Sequence, residues 1–182
     1  LDMIGAENAL ALSLALREQV DIKVIAAQKE QEVRKSDVLE FVNTDETLES
    51  VGGFKEMKEW LERRRRAFTK EARDYGLPYP KGLLLVGPAG TGKSLAAKAV
   101  ASFLRLPLLR LDMGKIFRSL VGESESAIRQ ALQVAEAVAP VVLWMDEIDK
   151  GLAGMKGSGE LDSGVTSRVV STILTWRQET KA

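Results

Sequence analysis

The sequence contains no cysteine and no histidine among its 182 residues, and both absences limit its chemistry. Without cysteine, the chain forms no disulfide and no thiolate metal site, which fits a reducing compartment. Without histidine, any catalytic base must be a carboxylate, a lysine or a tyrosine. Basic and acidic residues number 26 each, so the net charge of zero gives no support to nucleic-acid binding. No apolar run approaches the length of a membrane span, and no signal-peptide pattern opens the chain.

The overall composition, with 45% hydrophobic and 29% charged residues, is typical of a soluble globular protein. The length allows one domain of ordinary size and an appendage. We expect a helical N-terminal segment with its linker in residues 1–47 and a larger α/β core in residues 48–182. Because the chain begins with Leu1 rather than Met, we also expect it to be a fragment or a processed product.

The N-terminal segment is rich in helix-forming residues. Alanine and leucine between Ala6 and Arg17 favour a helix, although the leucines alternate with period two and leave a strand open. Val38–Val42 is typical of extended chain, and Asn43–Ser50 is a polar, acidic linker. A second helix is predicted from apolar residues at helical spacing, namely Ile22, Ile25, Ala26 and Val33, with Lys29.

The most informative motif is the glycine-rich stretch Gly87–Ser94, which fits the G-x-x-x-x-G-K-[ST] phosphate loop. It lies between Lys81–Val86, predicted as a short buried strand, and Ser94–Ala101, predicted as a helix. A polyphosphate would bind the loop's N–H groups at the positive end of that helix. We expect Lys93 to contact the β and γ phosphates and the Ser94 hydroxyl to bind Mg²⁺. The predicted nucleotide-binding residues of the loop are Pro88, Ala89, Gly90, Thr91, Gly92, Lys93 and Ser94.

A pair of acids, Asp146 and Glu147, follows the apolar run Val141–Met145. Such a run is typical of a central parallel strand, and open α/β sheets bind their ligands at the carboxyl ends of strands. We expect Asp146 to contact Mg²⁺ and Glu147 to act as the general base that activates water. Taken alone, the pair is equally compatible with solvated acids at a strand end. Asp149 is either a supporting acid or an ordinary loop residue.

The remaining elements alternate between strand and helix and predict a parallel sheet with right-handed crossovers. An amphipathic helix is expected after Gly53, with Phe54, Met57, Leu61 and Phe68 on one side. The run Arg63–Arg66 points all round that helix, which favours solvation and pairing with Glu59 and Glu62 over a subunit contact. The other predicted elements are a strand at Pro107–Asp112, a helix at Glu123–Ala139, a mobile loop at Met155–Gly164 and a final helix marked by Val165, Val169, Ile173 and Trp176.

With these motifs in order and at the expected spacing, the chain resembles the AAA family of ATPases from about Leu48 onward. The resemblance rests on Val51-Gly52-Gly53, the phosphate loop, Val121–Glu125, Asp146–Asp149 and Thr166-Ser167-Arg168. The sequences of Gly122–Ser126 and Leu174–Glu179 are similar to those of a poorly characterised subgroup from cyanobacteria, other bacteria and algal chloroplast genomes. A cytoplasmic location is implied, or the chloroplast stroma if the gene is plastid-encoded.

The resemblance implies a P-loop NTPase large subdomain with a parallel sheet flanked by helices, ending before the helical lid. It implies that Val51 and Gly52 line the adenine pocket and that Leu95 packs near the nucleotide. It also implies a ring, usually of six subunits, whose channel loops (Ser119–Gly122 and Met155–Ser163) grip a polypeptide. Leu120 stands where protein-threading members commonly carry an aromatic residue, and it is either a substrate contact or an ordinary loop residue. The family's arginine fingers cannot be placed here, so we expect this chain alone to bind ATP poorly or to hydrolyse it very slowly.

The leading hypothesis is therefore an ATPase that couples hydrolysis of Mg·ATP to the remodelling of an unidentified protein. The alternative is a nucleotide-dependent assembly or regulatory module with little hydrolysis. A small-molecule kinase shares the phosphate loop but usually lacks an Asp-Glu pair followed by a glycine-rich loop. DNA handling by a clamp-loader-like or helicase-loading protein finds no support in the charge balance.

Overall fold

The architecture is that of a computed structural model, which describes residues 29–34, 36–77, 80–118, 123–146, 148 and 160–180. The predicted helix at Ala6–Arg17 and the first part of the second one lie outside these residues. Within them, residues 29–34 are helical. No helix in this part of the chain is long and apolar enough to cross a membrane.

Helices lie between the three strands of the described residues. In chain order they are β1 (Leu39–Val42), α1 (Lys55–Arg64), a 3₁₀ helix (Arg65–Phe68), α2 (Lys70–Asp74), α3 (Lys93–Leu104), β2 (Leu108–Asp112), α4 (Met113–Arg118), α5 (Glu123–Ala137), β3 (Val142–Asp146) and α6 (Glu160–Glu179).

The described strands form one sheet in the order β1-β2-β3. β2 and β3 are parallel, as predicted, with Leu108 opposite Val142 and Asp112 opposite Asp146. β1, from the segment before residue 48, is antiparallel to β2, with Leu39 opposite Leu111, so the described sheet is mixed. β1 comes from the segment before the phosphate loop and pairs at the edge of the sheet, where an antiparallel pair needs no crossover geometry.

One face of the sheet packs against α5 and α6. Leu109 and Leu111 alternate along β2 and are fully buried, because every second side chain of a strand points to the same face. They join Ile128 of α5 and Val169 of α6 in one core cluster. Acidic residues occupy the first turn of α5, as predicted for the positive end of a helix.

Residues before position 48 share this core. Val33 and Leu39 belong to the cluster that contains Ile128 and Leu132. Lys29 Nζ donates to the carbonyl oxygens of Val138 (3.0 Å) and Ala139 (3.2 Å), just beyond the end of α5. The division of the chain between residues 47 and 48 stays a prediction, although β1 and the helical residues 29–34 pack on the larger unit.

A second core cluster joins α1 to α3. Met57 and Leu61 of α1 are buried with Ala96, Ala99 and Val100 of α3, and α3 also contacts β3. The predicted apolar side of α1 is thus confirmed for Met57 and Leu61. The helix ends at Arg64, however, and Phe68 belongs to the 3₁₀ helix that follows.

The arginine run therefore extends over two elements rather than one. Arg63 pairs with Glu59 at 3.4 Å, as predicted, and the Arg64 guanidinium lies 4.3 Å from the centroid of the Trp60 ring. The local pairing leaves no single basic stripe along α1.

Two predicted elements were wrong. Residues 81–88 form no strand, and Leu84 (79% exposed) and Val86 (87% exposed) are not buried. No described strand lies beside this segment, so its backbone has no ladder to join and its side chains have no cover. The predicted loop at Met155–Gly164 is helical from Glu160 onward. One glycine costs a helix about 1 kcal/mol, which the core packing of Val169 and Ile173 offsets.

Candidate functional site

The backbone of the glycine-rich loop adopts a conformation that is unfavourable for residues with a side chain. Gly90 and Gly92 have φ of 80° and 82°, in the left-handed region where only glycine is unstrained. At Gly87, an added Cβ would lie 3.1 Å from the Thr91 hydroxyl, which donates to the carbonyl of Pro88 at 2.9 Å. The glycines at these positions therefore fit the loop conformation, as their spacing in the sequence predicted.

The loop leads directly into the N-terminus of α3. Gly92 is the N-cap residue, and no side chain caps the first turn. The first helical bond is Ala96 N–H to the Gly92 carbonyl, at 2.8 Å. The earlier N–H groups of a helix have no partner within it, and with the helix dipole they attract anions. Ser94, in this first turn, is exposed and accessible to a ligand.

Lys93 folds back onto the loop. Its Nζ donates to the carbonyl oxygens of Gly87 at 2.7 Å and of Pro88 at 2.6 Å. An ammonium group has three donors, so these two bonds leave one for another acceptor. The contacts hold the lysine at the loop, where its positive charge adds to that of the helix N-terminus.

The turn that carries Val51 and Gly52 lies beside this loop. Val51 is buried in the same cluster as Ala96, and Leu95 packs against that cluster. The Val51 carbonyl accepts a hydrogen bond from Lys58 Nζ at 2.5 Å, which holds the turn on α1. The structure thus brings together Val51 and Leu95, two of the three residues that the family resemblance assigned to the base pocket, and Gly52 follows Val51 in the chain.

Phe54 is a neighbour of the loop that the sequence did not point to. It is the N-cap residue of α1 with φ 51°, and its ring edge lies 3.5 Å from where a Cβ on Gly92 would be. A non-glycine residue in the left-handed region is uncommon. Only the close approach in the fold reveals the contact, because a phenylalanine before a helix is otherwise typical of an ordinary core residue.

The turn before Val51 has its own electrostatics. Hydrogen bonds from the Thr47 hydroxyl and from its own backbone N–H lower the pKa of Glu49, outweighing desolvation, and Lys58 adds a smaller effect of the same sign. The carboxylate is therefore ionised at neutral pH beside the turn. This charge lies next to the region assigned to the base, not in the phosphate loop.

Asp146 is the last residue of β3, at the carboxyl end of the parallel pair. Its side chain is 29% exposed, and its Oδ2 lies 3.7 Å from Nη2 of Arg110 on β2. Arg110 was not among the predicted site residues, although a charged residue between two buried leucines of a strand was a signal. Glu147, Asp149 and Leu120 lie outside the described residues, as do Ser119–Gly122 and residues 155–159.

The donor set at this end of the sheet suits magnesium held with a phosphate. Asp112 is opposite Asp146 in register. Its carboxylate, however, accepts a hydrogen bond from the Lys115 N–H at 3.0 Å, at the N-terminus of α4. Where the chain is described, no group of three or more acidic, histidine or cysteine side chains could form a metal cage. Mg²⁺ in nucleotide sites typically takes one or two carboxylates and completes its shell with phosphates and water. A single aspartate at the end of a strand fits that pattern.

Comparisons with known proteins identify the family of the chain. Residues 83–182 match the family model described as "ATPase family associated with various cellular activities (AAA)". The chain is 47% identical over 172 residues to the "uncharacterized AAA domain-containing protein ycf46" of Pyropia yezoensis, covering 93% of this chain and 35% of that protein. The protein of the same name from Gracilaria tenuistipitata var. liui is 50% identical over 160 residues, covering 88% of this chain and 32% of that protein.

The fold agrees as well. The crystal structure of the FIGL-1 AAA domain matches with a TM-score of 0.60 and 25% sequence identity, over 88% of this chain and 51% of that one. The chain spans about a third of the length of the two relatives above. The family model covers more than half of the chain and includes the phosphate loop, α3 and β3. The chain therefore belongs to the AAA family of ATPases.

Proposed function

We propose that this chain binds Mg·ATP between the Gly87–Ser94 loop and Asp146 and serves in an enzyme that hydrolyses it. The observation that carries the proposal is the loop geometry: two left-handed glycines lead into an uncapped helix N-terminus that carries Lys93 and Ser94. This arrangement presents N–H donors and a lysine to an anion on one short segment. The contact between α3 and β3 supports a single site that includes Asp146.

Each residue has a distinct role in the proposed reaction. Lys93 would exchange a loop carbonyl for a phosphate oxygen, and the loop N–H groups would hold the remaining phosphate oxygens. Ser94 and Asp146 would hold Mg²⁺, which when bound neutralises charge on the phosphates. Glu147 would accept the proton of the attacking water, since the chain has no histidine for this task. Val51, Gly52 and Leu95 would surround the base.

The relatives are longer proteins than this chain, and the full activity requires a protein of that length. There, we propose, ATP turnover in a ring of subunits, usually six, drives the remodelling of a protein partner. The support is membership of the AAA family together with the two predicted channel loops. A cytoplasmic or plastid stromal location is part of the same proposal.

Nucleotide binding tests the site directly. A fluorescent ATP analogue should bind the wild-type chain in the presence of Mg²⁺, and Lys93→Ala should weaken binding about 10- to 100-fold. That range corresponds to the loss of one charge-assisted hydrogen bond. Lys98→Ala removes the same charge from the same helix, away from the loop, and should change affinity less than about 2-fold. Equal affinity in wild type and Lys93→Ala would contradict the proposal.

Turnover distinguishes hydrolysis from nucleotide-dependent assembly. In the longer protein, Glu147→Gln should keep ATP binding and abolish phosphate release, because glutamine cannot accept the proton. Unaltered phosphate release in that variant would show that Glu147 is not the base. Wild-type protein that assembles with ATP but releases no phosphate would favour the assembly module instead.

A further inference from the structure

A row of alternating charges crosses the face of the sheet opposite the α5–α6 core. Arg110 on β2 lies between Glu40 on β1 and Asp146 on β3, with Nη1 3.8 Å from Glu40 Oε2 and Nη2 3.7 Å from Asp146 Oδ2. The register places Glu40 and Trp144 directly opposite Arg110. The three strands thus bring one cation between two carboxylates, one of which belongs to the proposed magnesium site.

The surroundings hold the guanidinium in place. Arg110 Cζ lies 5.5 Å from the centroid of the Trp144 ring, a distance typical of a cation–π contact. The Nε is buried and has no hydrogen-bond partner among the described residues. A buried donor without a partner is unfavourable, so the position needs a compensating interaction of the side-chain charge. The side chain is 38% exposed, which leaves its charged end in contact with water.

We propose that Arg110 is a positioning residue that acts as the resident counter-cation of Asp146 and thereby sets the Mg²⁺ concentration at which ATP binds. This inference rests on the proposed function, since it takes Asp146 as a magnesium ligand. Before Mg²⁺ binds, the guanidinium neutralises and orients the Asp146 carboxylate. The metal must then compete with a positive charge less than 4 Å from its ligand. The Arg110–Asp146 pair therefore lowers the affinity for Mg²⁺ while keeping the carboxylate in place.

Glu40 modulates this competition. It lies on the other side of the same guanidinium and is the more exposed carboxylate of the two, with 69% of its side chain accessible. A carboxylate there shares the positive charge of Arg110 and weakens its hold on Asp146. Removing the charge of Glu40 should therefore have the opposite effect to removing the charge of Arg110.

The test is a Mg²⁺ titration of fluorescent ATP binding to the 182-residue chain at fixed nucleotide concentration. Arg110→Met removes the charge at similar length and should lower the Mg²⁺ midpoint about 3- to 10-fold, the range expected of one partly solvated ion pair acting on a divalent ion. Arg110→Lys restores the charge and should return the midpoint toward the wild-type value. Glu40→Gln should raise the midpoint about 2-fold. These shifts should shrink as KCl is raised, because salt screens exposed charges.

Control variants separate the possible failures. Arg34→Met removes a surface arginine that pairs with Glu30 at 2.8 Å, and it should leave the midpoint unchanged. Asp146→Asn should raise the midpoint, and adding Arg110→Met to it should then cause no further shift. If Asp146→Asn shifts the midpoint but Arg110→Met and Glu40→Gln do not, the role of Arg110 is overturned and the magnesium site stands. If Asp146→Asn has no effect, the proposed site itself fails. If Arg110→Met does not fold, Arg110→Gln replaces it. The role of Arg110 then requires that Arg110→Gln lowers the Mg²⁺ midpoint and that Glu40→Gln raises it.

Discussion

Val33 offers the sharpest test of whether the residues before position 48 belong to the folded core. Its side chain is 1% exposed and lies in the cluster with Ile128 and Leu132. Val33→Ala removes the equivalent of two methylene groups, worth about 1.6 kcal/mol of transfer free energy at ~0.8 kcal/mol each. The cavity left in a packed core adds to this, giving an expected loss of about 2–3 kcal/mol in the free energy of unfolding.

The measurement is urea unfolding followed by tryptophan fluorescence, since Trp176 packs against the core cluster and Trp144 is partly buried beside Arg110. The matched control is Val86→Ala, which removes the same atoms from a side chain that is 87% exposed, so its effect should stay within about 0.5 kcal/mol. A Val33→Ala protein as stable as the wild type, with an unchanged dependence on urea, would show that residues 29–34 do not pack in the core. A large loss in Val86→Ala would instead restore the buried strand that the sequence predicted.

Two further predictions concern the loop and a helix cap. Gly90→Ala and Gly92→Ala should each cost about 1–2 kcal/mol of stability, because both require a left-handed backbone, whereas Gly52→Ala should be neutral; urea unfolding checks all three. Thr69→Ala should cost about 1 kcal/mol, since the Thr69 hydroxyl caps α2. Hydrogen bonds from its own N–H and from Thr69 lower the pKa of Glu71 from its usual value, so the variant should raise that pKa in an NMR titration. A carboxyl group whose pKa is lower in the folded state stabilises the fold at pH values above its unfolded-state pKa. This stabilisation is lost as the pH falls through the folded-state pKa. The stability gap between variant and wild type should therefore be larger at pH 7 than at pH 3.

The phosphate loop could be predicted because its signal is local. Glycines at fixed spacing before a lysine indicate a left-handed backbone in the turn, which depends on these residues and not on distant ones. The structure shows Gly90 and Gly92 in that conformation. The helix that follows was equally local, because alanine and leucine favour it. The N-terminus of α3 therefore lay within one residue of the predicted position.

The contacts of Arg110 and Phe54 could not be predicted, because they join distant parts of the chain. Arg110 meets Glu40 and Asp146 only when three strands align in one register. Phe54 approaches Gly92 only because α1 and α3 share a core cluster. Periodicity gives the face on which a residue lies, and it does not give the partner across that face.

The two apolar runs Leu83–Val86 and Val141–Met145 show that the formation of a strand also depends on distant parts of the chain. Both are short, uncharged and followed by site residues, so the sequence predicted a buried strand for each. Only the second forms one, because β2 lies beside it and offers a ladder from Leu108 to Asp112. A strand depends on its neighbour for hydrogen bonds, whereas a glycine turn carries its conformation in its own residues. The assignment of the phosphate site therefore rests on the turn and the helix N-terminus, and it does not depend on whether residues 81–86 pair.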